Sequence, residues 1–413
     1  MTHALVRRDT CRLCGGRDLQ LVFQLAPSAI GDAYVPATKL DRVQERYPID
    51  LFLCKDCGLS QLLDVIAPEV LYADYIYMTT SSLGLGGHFE RYANEVVDRI
   101  RPPAGSLVVD IGSNDGTLLG CFKLRGMRVL GVDPAREIAR AATDAGLETV
   151  PDFFTPALAE RIRRERGAAA IVTANNVFAN VDDLASMTEA IRVLLAPDGV
   201  FIFESFYLLD LIRNMVFDFI YHEHISAFPV KPLRSYFPRF GMELIDVLRV
   251  PTKGGSLRYT VQPVGGPRPV SPSVSELVKL ETASGLYRAE TFADFAAKVD
   301  ALKVQVLGLL RQLKASGKTI AGYGASITGT TLIHHFDLAP FLDFLVDDNP
   351  AKQHMFSPGH HIPVYPSQAL YERKPDCVVI LAWRFVDPIV AKHQTFLGGG
   401  GRFVVPVPAV RVI

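Results

Sequence analysis

The chain has 413 residues, 49% of them hydrophobic and 21% charged, with a formal net charge of −1. That length suits roughly two to three globular domains of ~150 residues each, with sizeable cores. The near-neutral charge excludes a protein held to nucleic acid by bulk positive charge, and no apolar run approaches the ~20 residues of a membrane-spanning helix.

The first residues, MTHALVRRDTCRLC, contain no apolar signal core, so the expectation is a cytoplasmic protein with reduced cysteines. Four of its six cysteines fall in two copies of C-x-x-C-G: Cys11 and Cys14, then Cys54 and Cys57. Each turn can face two sulfurs toward one ion, and the glycine tolerates the backbone bend that follows. Together they make a four-thiolate set for a structural zinc ion. Two disulfides, free thiols or a redox pair are the competing readings. Cys121 and Cys377 lie in apolar runs and read as buried core. The stretch YADYIYMTTSSL follows, with Tyr75, Tyr77 and Ser81 as candidate substrate contacts on a lid.

After Pro102–Pro103 comes SLVVDIGSNDGTLLGCFKLRGMRVLGVDPA. It reads as a buried strand (Leu107–Ile111), a glycine turn (Gly112–Gly116), a helix, and a second strand (Val129–Val132) ending in Asp133. An acid, Asp115, sits in the turn. It would repel a pyrophosphate at the helix N-terminus and suit a cationic sulfonium cofactor, S-adenosylmethionine. Asp110, Gly112, Asn114, Asp115 and Asp133 are therefore candidate cofactor residues, with Asp133 for the ribose hydroxyls. Asp152 in VPDFF is placed for the adenine amino group, and Phe153 or Phe154 for its face. AIVTANNVFANVDD gives a fourth strand ending in Asn175–Asn176, also assigned to the cofactor. RIRRERG, 161–167, reads as the solvated end of a helix. LLAPDGVFIFESF gives a fifth strand, and helix-strand alternation is expected to continue through GMELIDVLRV and GGSLRYTVQPV.

The segment 271–317 is expected to be helical. KTIAGYGASITGTTLIHHF then repeats the strand, glycine turn and helix, without an acid in the turn. FLDFLVDDNPAKQ, PDCVVILAWRF and GRFVVPVP complete a second open α/β sheet. Ser326, Thr328 and Thr330 could receive phosphates at that helix start, and a domain that binds nothing is the alternative.

CRLCGG, CKDCGL, DIGSNDGTLL, ANNVFA, YHEHIS, GGSLR, GYGAS, VDDNPAKQ, PGHHIPV and ILAWRF occur here in order along nearly the whole chain. Together they resemble the C-methyltransferases of nucleotide-linked keto-deoxysugars. The resemblance implies an α/β protein of three parts. These are a small zinc-binding domain (1–75), a central Rossmann-like class I S-adenosylmethionine methyltransferase domain (76–268) and a C-terminal Rossmann-like α/β domain that binds the nucleotide sugar (269–413). It implies methylation of carbon 3 of a TDP-4-keto sugar; a monomer or weak dimer is expected, and the charge and hydropathy above lead to no nucleic-acid or membrane partner being expected. Substrate contacts are then expected from Asn180, Tyr323, Ser326, Thr328, Lys352, His361 and Trp383, and from His222, which also reads as the structural histidine of its pair. Two positions depart from the family pattern: Asn180 where a histidine is common, and the region of Thr328 where a lysine often stands.

Within FDFIYHEHISAFP, His222 and His224 at i, i+2 diverge on either a strand or a helix, which argues against a shared metal ion. Removing a proton beside a ketone calls for a base near neutrality, and His224 is assigned that role. Tyr221 is assigned to the enolate oxygen, and Glu223 to orienting a histidine or binding a hydroxyl. A satisfied polar turn competes with this reading. Two rival functions also stand at this point: an NAD-dependent nucleotide-sugar oxidoreductase, and a zinc-knuckle nucleic-acid-binding methyltransferase.

Overall fold

The structure is a computed structural model, and it describes residues 5–71 and 84–413. Tyr75, Tyr77 and Ser81 lie outside the described residues. The N-terminal part is built from β1 (Leu5–Arg7), β2 (Leu19–Ser28), β3 (Val35–Pro36), β4 (Tyr47–Cys54), β5 (Ser60–Leu62) and β6 (Asp64–Ile66). Strands β2, β4 and β5 pair antiparallel, and their buried faces carry Phe23, Leu25, Ile49, Leu51 and Leu53. This alternation is the period of two that a one-sided sheet requires.

The centre is a seven-stranded sheet. Its strands are β7 (Leu107–Ile111), β8 (Arg128–Val132), β9 (Thr149–Val150), β10 (Ala169–Thr173), β11 (Leu195–Phe206), β13 (Met242–Val250) and β14 (Ser256–Pro263). Their spatial order is β13-β14-β11-β10-β7-β8-β9. Strands β7 to β11 run parallel, and β14 is antiparallel to both of its neighbours, β11 and β13. β13 and β14 follow each other directly instead of alternating with a helix as expected, because the connection 251–255 is too short for a crossover. β10 stops at Thr173, two residues before the expected end, so Asn175 and Asn176 sit in the turn beyond it, Asn176 at φ 58°.

Successive residues of β7 face opposite sides. Val108 packs under the helix Leu85–Ile100 with that helix's stripe Phe89, Tyr92, Val96 and Ile100, while Val109 belongs to the larger core. That stripe, at i, i+3, i+7 and i+11, is what fixes the helix on the sheet.

One strand leaves this domain. β12 (Ser226–Ala227) pairs antiparallel with β5, so the four-stranded N-terminal sheet has the order β12-β5-β4-β2. The helices Pro272–Ala283 and Ala289–Ala315 fill the stretch expected to be helical. The last sheet contains β15 (Ile320–Tyr323), β16 (Phe344–Val346), β18 (Val364–Tyr365), β19 (Cys377–Ile380), β20 (Arg402–Val405) and β21 (Arg411–Val412), parallel apart from β21. β17 (Met355–Phe356) pairs with β3, tying the C-terminal part to the N-terminal one. Among the described residues no helix is long and apolar enough to cross a membrane.

Candidate functional site

The four sulfurs of Cys11, Cys14, Cys54 and Cys57 lie within 4.8 Å of one another. The near pairs, Cys11–Cys57 and Cys14–Cys54, are each 3.6 Å apart and join one knuckle to the other. That is far beyond a disulfide bond. A tetrahedral zinc–thiolate set at ~2.3 Å would place its sulfurs ~3.8 Å apart, so the set fits one zinc ion. Four thiolates leave no open coordination position, which makes the role structural.

Residues from the N-terminal and central parts, with Ile327 of the C-terminal part, meet around a cavity of about 670 Å³. On one side the carboxy ends of β7, β8 and β10 bring Asp110, Gly112, Asn114, Asp133 and Asn175–Asn176 to its wall, with Asp152 and Phe153 beside them. Gly112 has φ 69°, and a Cβ there would stand 2.2 Å from Val177, so only glycine lets the turn close this tightly. Asp133 accepts from the backbone N–H of Asn114 at 2.8 Å and of Ala135 at 2.9 Å, which fixes both oxygens at the strand end. Each oxygen keeps lone pairs for a diol. Asp110 accepts from the Thr173 hydroxyl at 2.6 Å, and burial pushes its carboxyl up to about 7. Phe153 is 39% exposed, an apolar plate at the rim. An aspartate held for a ribose, a turn without room for a side chain and an exposed aromatic face fit the adenosyl part of S-adenosylmethionine. Asp115 accepts from the N–H and hydroxyl of Thr117 at the start of the helix Thr117–Leu124, and is not among the residues lining the cavity.

The opposite wall is Tyr221, His222, Glu223 and His224. This loop is buried from Phe217 to Val230 and is held at both ends by other domains. At its start, Asp218 accepts from Trp383 Nε1 at 2.9 Å and from Arg384 Nη1 at 3.2 Å. At its end, the Ile225 carbonyl accepts from Leu62 N at 2.9 Å and Arg12 Nη1 at 3.2 Å, just before β12 joins β5. In between, His224 Nδ1 lies 2.8 Å from the Phe219 carbonyl. A carbonyl can only accept, so Nδ1 carries the proton and Nε2 the lone pair. Nε2 accepts from the Tyr221 hydroxyl at 2.9 Å, and the two rings stack at 4.0 Å and 30°. Burial pulls His224 down to about 3 and His222 to about 4, so both imidazoles are neutral across the physiological range. His222 donates to the Tyr47 carbonyl at 3.2 Å and meets the Tyr47 ring edge-on. It links the loop to β4.

Asn180 lines the same cavity. Of the other expected substrate residues, those of the C-terminal domain stand in internal contacts and not on this wall, where only Ile327 of their glycine turn reaches. Ser326 caps its helix through Gly329 N at 3.1 Å and meets the Thr328 hydroxyl at 3.1 Å. Lys352 pairs with Asp32 at 2.5 Å, and the Tyr323 hydroxyl donates to Asp348 at 2.7 Å. Trp383 anchors the loop through Asp218, and His361 sits at φ 52° in the turn before Ile362.

Sequence reasoning passed over Lys253, which lines the cavity beside Glu223. It holds φ 56°, ψ 27° and is followed by Gly254 (φ 87°) and Gly255 (φ 125°). A non-glycine residue in this region costs about 1–3 kcal/mol. The signal was available as a lysine set directly before Gly-Gly.

Three family profiles match the chain. They are a zinc binding domain at residues 11–72, a methyltransferase domain at 86–247 and a C-methyltransferase C-terminal domain at 251–408. The C-methyltransferase NovU of Streptomyces niveus is 34% identical over 406 residues, covering 98% of this chain and 97% of NovU. A ubiquinone biosynthesis O-methyltransferase of Chromobacterium violaceum is 31% identical over 113 residues, 27% of this chain and 49% of that protein. Among solved structures, an S-adenosylmethionine-dependent methyltransferase from Clostridium acetobutylicum shares 14% identity at a TM-score of 0.34, covering 48% of this chain and 96% of that one. The chain is an S-adenosylmethionine-dependent C-methyltransferase with a zinc-binding domain, and it belongs to the family of NovU.

Proposed function

We propose that the protein methylates carbon 3 of a nucleotide-linked 4-keto-deoxysugar, with TDP as the nucleotide, through an enolate. The observation that carries the reading is the Tyr221–His224 pair facing the glycine turn and Asp133 across one cavity. A carbon acceptor must first lose a proton, and an adjacent ketone makes that loss feasible by spreading the charge onto oxygen.

S-adenosylmethionine supplies an electrophilic methyl group when bound; Asp133, Gly112, Asn114, Asp152 and Phe153 are the residues that would hold it. The chain itself supplies the base. The Phe219 carbonyl keeps a proton on Nδ1 of His224, which leaves Nε2 to accept the carbon-bound one. The Tyr221 hydroxyl holds that lone pair at 2.9 Å, so it must turn from Nε2 toward the substrate oxygen as the base engages, which places a hydroxyl beside the developing charge. Burial weakens His224 as a base, and an enolate formed next to it stabilises the imidazolium.

The test is incubation of the zinc-loaded protein with S-adenosylmethionine and a panel of TDP-4-keto-6-deoxy sugars, followed by mass spectrometry. A gain of one CH₂ on a keto sugar, with deuterium at carbon 3 lost in the product, is expected. Methylation at an oxygen or nitrogen would overturn the reading.

A further inference from the structure

Lys253 is the only lysine or arginine lining the cavity among the described residues, and it is on the same wall as Tyr221, Glu223 and His224. Its ammonium makes no hydrogen bond or ion pair to a described residue, although Glu223 and Glu204 both stand close enough to favour its charge. The backbone that aims it cannot relax. A Cβ on Gly254 would come within 3.0 Å of Val216, and one on Gly255 within 2.4 Å of Asp210, so the left-handed turn is wedged against both. An isolated ammonium, held at a strained position and pointing at an acid–base pair, is placed for an anion that forms there.

We propose that Lys253 is a catalytic residue whose ammonium hydrogen-bonds the carbonyl oxygen of the substrate as that oxygen becomes an enolate. This rests on the reading of the site given above. When the carbon–hydrogen bond breaks, its electron pair forms the new carbon–carbon double bond and the carbonyl pair moves onto oxygen. The proton goes to Nε2 of His224. Lys253 keeps its own proton and donates only a hydrogen bond.

The surrounding charges agree with this role. Burial lowers Lys253, Glu223 and Glu204 raise it, and the neighbouring Arg384 lowers it, leaving it at about 8. Burial and Asp32 push Glu223 up to about 8, against Lys253 and Lys352. The two groups interact and titrate as a pair near pH 8, so at neutral pH the wall still holds a proton to offer the oxygen. Above pH 8 both protons leave and the wall turns from donor to acceptor.

The test is deuterium wash-in at the carbon beside the ketone, followed by NMR in D₂O with the full zinc-loaded chain. S-adenosylhomocysteine takes the donor's place, so that proton removal is read without methyl transfer. The variants are K253G, which keeps the left-handed backbone without strain, and K253R, which keeps the charge. K253G is expected to slow both wash-in and methyl transfer by about 10²–10³-fold, the loss typical of one oxyanion donor, with S-adenosylmethionine affinity unchanged and thermal unfolding at or above the wild-type temperature, since the backbone strain is relieved. K253R is expected to recover part of both rates and to shift the alkaline limb of the rate profile above its wild-type position near pH 8. Wild-type wash-in in K253G would overturn the role of Lys253 while leaving the proposed reaction intact. A wild-type protein that neither exchanges nor methylates any keto sugar would overturn both.

Discussion

Arg12 sits between the two zinc knuckle cysteines, yet its side chain reaches away from the metal into the junction with the central domain. That side chain is 0% exposed. Its Nη1 donates to Gln61 Oε1 at 3.1 Å, to the Ile225 carbonyl at 3.2 Å and to the Leu62 carbonyl; its Nε donates to Asp182 at 2.9 Å. Arg12→Met removes all four bonds with little change of volume. Asp182 is 38% exposed, so that pair is worth at most about 1 kcal/mol. The larger loss is at the three buried acceptors, since a hydrogen bond to a charged group contributes about 1.5–3 kcal/mol. These share one nitrogen and do not add. Burial also pulls the guanidinium down to about 10, and removing that desolvation cost offsets part of the loss, leaving about 2–4 kcal/mol. The Ile225 carbonyl is one residue from His224, and a misplacement of ~1 Å at a reacting group costs about 10²-fold in rate. The expected result is a lower urea midpoint, turnover down by about that factor and unchanged affinity for S-adenosylmethionine. Arg12→Lys should fall between, because one ammonium cannot reproduce the fork. An Arg12→Met protein with normal stability and turnover would refute the claim that the first domain positions the base.

Three further outcomes are expected. His224→Ala should lower turnover by about 10²–10⁴-fold with cofactor binding retained; Tyr221→Phe, losing one hydrogen bond, should cost about 10-fold. Stripping zinc with a chelator should abolish methyl transfer, because the ion's apparent ~10–16 kcal/mol holds the sheet that β12 joins. Equilibrium dialysis should still show S-adenosylmethionine bound at the separate central sheet, and full turnover without metal would contradict this. In a kcat/KM profile, no loss is expected near pH 6.5, where an ordinary imidazole titrates. The unprotonated base binds productively, and with His224 at about 3 it stays unprotonated well below that point. An acid limb at 6.5 would show that His224 is solvated in the working enzyme.

Much of this was legible in the sequence because its signals are local. The strand Leu107–Ile111 stands where its apolar run places it, and Asp133 closes the next strand. The two C-x-x-C turns bring four sulfurs together, as their spacing implies. The Y-H-E-H group meets the glycine turn across one cavity. What stayed hidden depends on contacts between distant segments. β12 is two residues long and carries no periodic pattern, so its pairing with β5, 165 positions earlier, has no signature. Trp383 was marked for substrate, but its partner Asp218 lies in another domain and could be found only by folding both. Lys253 was missed because its importance comes from a backbone angle and an unpaired ammonium, neither of which composition reveals.

The loop 217–228 is fastened at one end by Trp383 and Arg384 and at the other by β5 and Arg12. Chimeras built to change acceptor choice by exchanging the last third of the chain would therefore also exchange half of the loop's fastening. Such grafts should keep Trp383, Arg384 and their aspartate as a matched set, or a poor hybrid will be mistaken for one with the wrong specificity.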